Sequence, residues 1–122
     1  MSTLVAQTIS NGTVSTSSAN VIQGSAKAWV NFNGTGTVAI RASYNVSSIT
    51  DNGTGDYTVN FTNALPDANY STLVTTGTSA TTDANCPQVR TDLCTTTGAR
   101  VYMKGTNAAF FDVNLLNVAV FR

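Results

Sequence analysis

Two cysteines are the most reactive side chains in this chain, and their spacing raises the question of a cross-link. Cys86 and Cys94 enclose a segment of seven residues. A disulfide between them would close a small loop and stabilise the fold by roughly 2–3 kcal/mol in the chain-entropy model. Two free thiols are the alternative that the sequence leaves open. A metal site is disfavoured, because two cysteines without any histidine supply too few ligands for structural zinc.

Other catalytic groups are scarce. All six acidic residues are aspartates, and the chain contains no histidine and no glutamate. Nucleophilic catalysis by serine or threonine needs a neighbouring base, and glycoside hydrolysis needs two facing carboxylates. No two aspartates occupy facing positions that the sequence predicts. We therefore expect no enzymatic activity, no cofactor and no metal.

Residues 51–56 are rich in the oxygen ligands that calcium prefers. Asp51 and Asp56 flank Gly53 and Gly55, a spacing that resembles a calcium-binding loop. The loop lacks the bidentate glutamate that closes such sites. An Asn-Gly pair between two alternating segments is also a strong hairpin signal. The favoured interpretation is therefore a hairpin turn capped by aspartate.

Residues 75–100 contain the best candidate for a recognition loop. Long segments of low apolar content inside a compact domain are usually functional or disordered. Polar side chains here can hydrogen-bond sugar hydroxyls, and the arginine can pair with an acidic group. The alternatives are a solvated loop and a hairpin that packs on a neighbouring subunit. The candidate receptor-binding residues are Asp83, Asn85, Gln88, Arg90 and Asp92.

The composition indicates a β-rich domain that carries little charge. Thr, Asn, Ser and Gly supply 54 of the 122 residues, while charged residues make up 10% and the net charge is zero. Threonine favours strands, whereas asparagine and glycine favour turns. The balanced charge argues against a nucleic-acid binder. No apolar segment approaches 18 residues, so no membrane insertion is expected.

Alternating patterns predict an all-β fold, a β-sandwich or jelly-roll-like domain. Residues 57–61 alternate and are expected to form a hairpin with residues 46–50. Residues 25–122 would form this head domain, and residues 1–24 a short extended N-terminal arm or anchor. The longest alternating segment is expected to bury one face, formed by Val38, Ile40, Ala42, Tyr44 and Val46.

Two features suggest that apolar surface is shared between subunits. Trp29 lies on the opposite parity from the apolar residues of its strand. The alternation of residues 110–121 slips by one at residue 115, which implies a bulge or burial of both faces. A crowded core in a two-sheet sandwich would give the same patterns. The candidate interface residues are Trp29, Phe110, Phe111, Leu116, Val118 and Val120.

Residues 24–41 (GSAKAWVNFNGTGTVAIR) and residues 44–61 (YNVSSITDNGTGDYTVNF) carry a family resemblance. This part of the chain, about residues 24–70, resembles a module of tail-fibre and virion proteins of tailed bacteriophages. The resemblance covers a little over a third of the chain. It implies a trimeric β-rich module on the outside of a virion that is assembled in the host cytoplasm. It implies no catalytic site.

The sequence therefore supports two principal functions. The first is a non-enzymatic virion-surface protein, such as a tail fibre, spike or head fibre, that forms homotrimers and contributes to host-receptor attachment. Its expected partners are a host surface glycan or protein, and other virion proteins through residues 1–24. The alternative is a capsid decoration or cement protein without a receptor-binding role. The chain is then either a fibre tip or a small protein complete in itself.

Overall fold

The computed structural model describes residues 1–77 and 86–122. The N-terminal segment, residues 1–24, contains regular secondary structure, whereas the sequence predicts a short extended arm. It contains β1 (Thr8–Ser10) and β2 (Ser15–Ser17), which pair as a hairpin, and the short helix α1 (Ser18–Gly24). The Ser17 hydroxyl caps this helix by accepting a hydrogen bond from the backbone N–H of Asn20. None of residues 1–24 is buried.

The rest of the described chain forms two four-stranded antiparallel sheets. The first sheet has the strand order β4-β3-β10-β7 and the second has the order β5-β6-β9-β8. The expectation of an all-β sandwich is confirmed. The strands are β3 (Ala28–Asn33), β4 (Ala39–Tyr44), β5 (Val46–Gly53), β6 (Asp56–Phe61), β7 (Ser71–Gly77), β8 (Cys86–Val89), β9 (Gly98–Lys104) and β10 (Leu115–Phe121).

The core lies between the two sheets and is built by alternate residues of four strands. β3 and β10 supply the inner face of the first sheet, and β6 and β9 that of the second. The alternation predicted for β3 and β6 is confirmed. The fully or almost fully buried side chains of these strands are Ala28, Val30, Phe32, Tyr57, Val59, Phe61, Ala99, Val101, Met103, Leu116, Val118 and Val120.

The predicted hairpin is confirmed and consists of β5 and β6. Its turn lies two residues further along the chain than the Asn52-Gly53 pair that predicted it. Thr54 and Gly55 lie between the strands, and Gly53 and Gly55 have positive φ angles of 126° and 64°. The Asp51 carboxylate accepts a hydrogen bond of 2.9 Å from the backbone N–H of Gly53. The structure of this segment is therefore the hairpin turn capped by aspartate that the sequence favours over a calcium-binding loop.

β4 corrects the prediction of a half-buried strand over residues 38–46. All six residues of β4 are exposed, because it is the edge strand of the first sheet. A bulge at Arg41 shifts the register, so Ile40 pairs with Phe32 while Ala42 pairs with Asn31. The predicted apolar face is thereby split between the two sides of the sheet.

Asn45 forms the corner at which the chain passes from β4 to β5 and from one sheet to the other. Its backbone has a φ angle of 53°. Its amide donates hydrogen bonds to the carbonyl groups of Lys27 and Asn63, at 2.9 and 3.2 Å. Its side-chain oxygen accepts a hydrogen bond of 2.8 Å from the backbone N–H of Asn63. The corner is therefore tied to both sheets.

The slip in the C-terminal alternation has a simpler cause than either predicted one. β10 begins at Leu115, so the preceding apolar residues Phe111 and Val113 belong to the connection before the strand. Neither a bulge nor burial of both faces is needed. Within β10 the alternation is regular, with Leu116, Val118 and Val120 facing the core.

Candidate recognition surfaces

The candidate disulfide does not form, and both cysteines are free thiols. Cys86 pairs with Lys104 at one end of β9, whereas Cys94 precedes Thr95, which bridges to Gly98 at the other end. Six residues at about 3.3 Å each separate these two ends by about 20 Å. A disulfide requires Cα atoms within about 7 Å. The proposed cross-link is therefore wrong.

The candidate receptor residues are only partly brought together. Asp83 and Asn85 lie outside the described residues. Gln88 is exposed on β8, and Arg90 and Asp92 follow this strand. The Arg90 guanidinium forms a two-pronged contact with the Asp92 carboxylate at 3.1 and 3.3 Å. Exposed ion pairs of this kind contribute only about 0–1 kcal/mol to the free energy of unfolding. A ligand can therefore replace either partner with little loss of stability.

A second ion pair lies beside the first on the outer face of the second sheet. Arg100 on β9 donates two hydrogen bonds of 2.8 Å to the Asp56 carboxylate on β6. These bonds hold the pKa of Asp56 below its usual value. The backbone N–H of Arg90 donates to the Arg100 carbonyl, which places the two arginines next to each other. We call Asp56, Arg100, Arg90 and Asp92 the charged row.

An aromatic and cationic cluster adjoins the charged row. The Lys104 ammonium lies 5.4 Å from the Tyr102 ring centre and 4.8 Å from that of Phe110. The two rings are 5.7 Å apart. Phe110 remains 44% exposed. The charged row consists of two ion pairs and is neutral, so Lys104 gives the combined surface one net positive charge beside its two aromatic rings, an arrangement that the sequence spacing did not reveal.

The β5–β6 half of the same face carries amides and hydroxyls. The Asn60 amide donates hydrogen bonds to the hydroxyl groups of Ser48 and Thr50, at 3.0 and 2.8 Å. The Asn52 amide donates one to the Thr58 hydroxyl at 2.9 Å. These contacts hold the polar side chains in fixed orientations on a rigid sheet. Such preorganisation lowers the entropy lost when a ligand binds.

The outer face of the first sheet has a different chemistry. Cross-strand pairing places Tyr44, Trp29, Ala119 and Leu73 in one row across β4, β3, β10 and β7. The adjacent row contains Ala42, Asn31, Asn117 and Thr75. A depression of about 330 Å³ lies over Ala119, between Trp29 and Leu73. We call these two rows the aromatic face.

The predicted interface residues do not form one surface. Leu116, Val118 and Val120 are 0–2% exposed in the core of this chain, so they are not available to a partner. Phe111 is half-buried and packs against the same core. The assignments of Leu116, Val118 and Val120 are therefore wrong, and that of Phe111 stays a prediction. Trp29 and Phe110 remain exposed but lie on the outer sides of opposite sheets.

A small cleft opens between the edge strands β7 and β8. It has a volume of about 190 Å³ and is lined in part by Tyr70, Thr72 and Cys94. The Tyr70 hydroxyl donates to the Gly98 carbonyl at 2.8 Å. Burial, followed by the neighbouring Cys94 thiol, raises the pKa of the Tyr70 phenol well above its usual range. Tyr70 therefore stays neutral and serves as a structural link.

No known protein family, curated protein or solved structure matches this chain. Within residues 1–77 and 86–122, no helix has the length and apolar character that a membrane crossing requires. The same ranges hold no cluster of three or more Cys or Asp side chains placed to share a metal ion. The surfaces described above are therefore the basis for a functional assignment.

Proposed function

We propose that this protein is a non-enzymatic structural protein of a bacteriophage virion surface. It forms homotrimers and contributes to host attachment as part of a tail fibre, spike or head fibre. The resemblance of residues 24–70 to virion modules supports the virion role. The observation that carries the attachment role is the charged row beside Lys104, Tyr102 and Phe110, because it offers exposed hydrogen-bonding and aromatic groups on a rigid sheet.

Within this surface, Arg90 is the residue proposed to contact an acidic or hydroxylated group of the receptor. The Arg100–Asp56 pair is the less exposed of the two, with side chains 26% and 16% exposed. The Arg90–Asp92 pair is more exposed, at 37% and 65%. The Arg100 guanidinium is thus held by Asp56, while the more exposed Arg90 can exchange its partner for a ligand. Three such sites in a trimer would act together and raise the apparent affinity.

The N-terminal segment is proposed to hold the protein in the particle. It carries exposed large apolar side chains, and none of its residues is buried against the sandwich. A surface of this kind gains stability when a partner covers it. Other virion proteins and neighbouring copies of the segment are the proposed partners. The exposed apolar residues of this segment are Met1, Leu4, Val5, Ile9, Val14, Val21 and Ile22.

A matched pair of variants tests the attachment role. The double variant Arg90→Ala/Asp92→Ala removes the exposed pair of the charged row. Arg122→Ala/Asp67→Ala removes an exposed two-pronged pair at 2.7 and 2.9 Å elsewhere on the surface. Virions with the first variant should lose adsorption to host cells, while virions with the second should adsorb normally. Equal adsorption by both would overturn the receptor role.

Decoration or cementing of the capsid is the second candidate, favoured by the exposed apolar segment 1–24. Copy number in purified particles separates the two functions. A few to a few tens of copies indicate a tail or vertex location, whereas hundreds indicate the capsid lattice. Absence from particles would reject both. Light scattering that gives 12.7 kDa, instead of about three times that mass, would reject the trimer.

A further inference from the structure

We propose that the aromatic face is a binding site for a neutral saccharide. This face lies on the sheet opposite to the charged row, so the site is additional to the proposed receptor contact. Its side chains belong to β3, β4, β7 and β10, and saccharide binding there does not require a virion role.

Two exposed aromatic rings provide the apolar half of the site. Trp29 and Tyr44 are direct cross-strand neighbours and are 41% and 58% exposed. Residues paired across antiparallel strands point to the same side of the sheet, about 5 Å apart at Cβ. One side of a pyranose ring is a flat patch of C–H groups, which packs well on an aromatic ring. Trp29 and Leu73, which is 55% exposed, line the depression on its two sides, and Tyr44 extends the aromatic surface beyond Trp29, outside the depression.

A ladder of amides provides the polar half. The Asn31 amide donates a hydrogen bond of 2.6 Å to the Asn117 side-chain oxygen, and the Asn117 amide donates one of 3.3 Å to the Thr75 hydroxyl. These contacts orient the two amides. An amide has two N–H groups, and each asparagine uses one of them in the ladder. The remaining donors and acceptors suit the hydroxyl groups of a sugar.

The absence of charge in the two rows selects a neutral ligand. The eight side chains of the aromatic face include no acid and no base. Lys27 borders the face along β3, but its ammonium donates to the Ile22 carbonyl. Arg41 lies on β4 at the bulge, outside the two rows, and donates to the Asn114 carbonyl at 2.6 Å. The volume of about 330 Å³ is at the lower end of the range of about 300–1,000 Å³ for small-molecule sites.

Trp29 is the only tryptophan of the chain, so its fluorescence reports directly on this site. The purified full chain is titrated with neutral oligosaccharides built from glucose, galactose or N-acetylglucosamine. We expect at least one of them to produce a saturable change in Trp29 emission and to protect the ring from acrylamide quenching. Affinity should not change between low and high salt, because no ion pair forms.

Calorimetric titration of variants tests the residue assignment. Trp29→Ala should weaken binding by about tenfold or more, and Trp29→Phe, which keeps an aromatic ring, should weaken it by less. Tyr44→Ala on the exposed edge strand is the second variant, used in case Trp29→Ala does not fold. Ile40→Ala is the matched control, because Ile40 is similarly exposed at 37% but pairs with Phe32 and so lies on the other side of the sheet, and its loss should not affect affinity.

Three outcomes would overturn the proposal. The first is no saturable response to any neutral oligosaccharide. The second is binding that Ile40→Ala weakens as much as Trp29→Ala does, or binding that only acidic saccharides show and that salt abolishes. The third is a change in Trp29 emission on dilution of the protein alone, which would make the face a contact between copies of this chain.

Discussion

The Tyr57 hydroxyl donates a hydrogen bond of 2.8 Å to the carbonyl group of Gly34, so a side chain of the second sheet holds a loop of the first. The ring of Tyr57 is fully buried. Burial, together with the Asp112 carboxylate 2.8 Å from the hydroxyl, raises the pKa of Tyr57 well above its usual range. The hydroxyl therefore remains protonated and able to donate at neutral pH.

Tyr57→Phe tests the contribution of this bond to stability. The substitution keeps the ring but removes the hydroxyl donor from both of its acceptors, the buried Gly34 carbonyl and the Asp112 carboxylate, which should cost about 1–3 kcal/mol. Urea unfolding at neutral pH measures the loss. Tyr102→Phe, on the outer face of the same sheet, is the control and should change stability by less than about 0.5 kcal/mol. Equal losses of stability in the two variants would mean that the hydrogen bond of the Tyr57 hydroxyl stabilises the fold no more than an exposed hydroxyl does.

Gly34 itself is required by the close approach of this ring. A Cβ atom at Gly34 would lie 2.5 Å from the Tyr57 hydroxyl and 2.9 Å from a Leu116 methyl group. Gly34→Ala should therefore destabilise the protein by about 1–3 kcal/mol through overpacking. Gly24→Ala adds the same methyl group where nothing lies within 4 Å, and thermal unfolding should show it to be tolerated. A tolerated Gly34→Ala would contradict the packing described above.

Asn45 combines backbone strain with hydrogen bonds, and two substitutions separate these contributions. Asn45→Gly removes the side-chain bonds but tolerates the φ angle of 53°. Asn45→Ala removes the bonds and forces an alanine into the left-handed region, which costs about 1–2 kcal/mol more. Denaturant unfolding should therefore rank the wild type above Asn45→Gly, and Asn45→Gly above Asn45→Ala. Equal stability of the two variants would indicate that the backbone of Asn45→Ala moves out of the left-handed region without loss of stability.

The Asp56–Arg100 pair predicts a specific dependence of stability on pH. Hydrogen bonding to Arg100 lowers the pKa of Asp56 in the folded state below the value of 3.8 for a free carboxyl group. The pair therefore stabilises the fold fully above that pH, and the contribution is lost as the pH falls through the lowered folded pKa.

Asp56→Asn should accordingly be less stable than the wild type at pH 7. The difference should shrink as the pH falls below 3.8 and through the lowered folded pKa, because a protonated Asp56 no longer forms the ion pair. Urea midpoints measured from pH 7 to pH 2 provide the comparison. Asp92→Asn, from the more exposed pair, should give a smaller difference at pH 7. A difference for Asp56→Asn that does not vary with pH would contradict the role of this ion pair.

The separation of the two cysteines predicts that the chain keeps two free thiols in air. Titration with a thiol reagent should find two thiols in the unfolded chain. In the folded chain the exposed Cys86 should react faster than the half-buried Cys94. An oxidant should not change the melting temperature of the wild type, and it should not change that of Cys86→Ser either. An intramolecular disulfide detected by mass spectrometry would contradict the strand register of β8 and β9.

Local signals predicted the elements of this fold better than they predicted its surfaces. The hairpin of β5 and β6 followed from a turn motif between two alternating segments, because both depend on neighbouring residues. The parity of β3 correctly placed Trp29 on the outer side. Helix α1 was missed, although Ser17 is a favourable N-cap residue that could have indicated its start.

The errors arose where the answer depends on distant residues. The exposure of β4 depends on its position at a sheet edge, and periodicity does not reveal strand order. The spacing of Cys86 and Cys94 suggested proximity, but an intervening strand and a short 3-10 helix (Thr91–Leu93) carry them to opposite ends of β9. The charged row likewise combines β6, β9 and the segment after β8, which only the tertiary structure brings together.

The pairing of β3 with β10 also sets the order in which the protein can fold during synthesis. The two central strands of the first sheet are separated by most of the chain, since Phe32 pairs with Leu116 and Ala28 with Val120. Contacts this distant in sequence form slowly, because a long loop must close first. The hairpin of β5 and β6 is able to form as soon as it leaves the ribosome. β3 can pair with the nearby β4 early, but the edge of β3 that pairs with β10 stays open until translation has passed Phe121, so the first sheet is completed last.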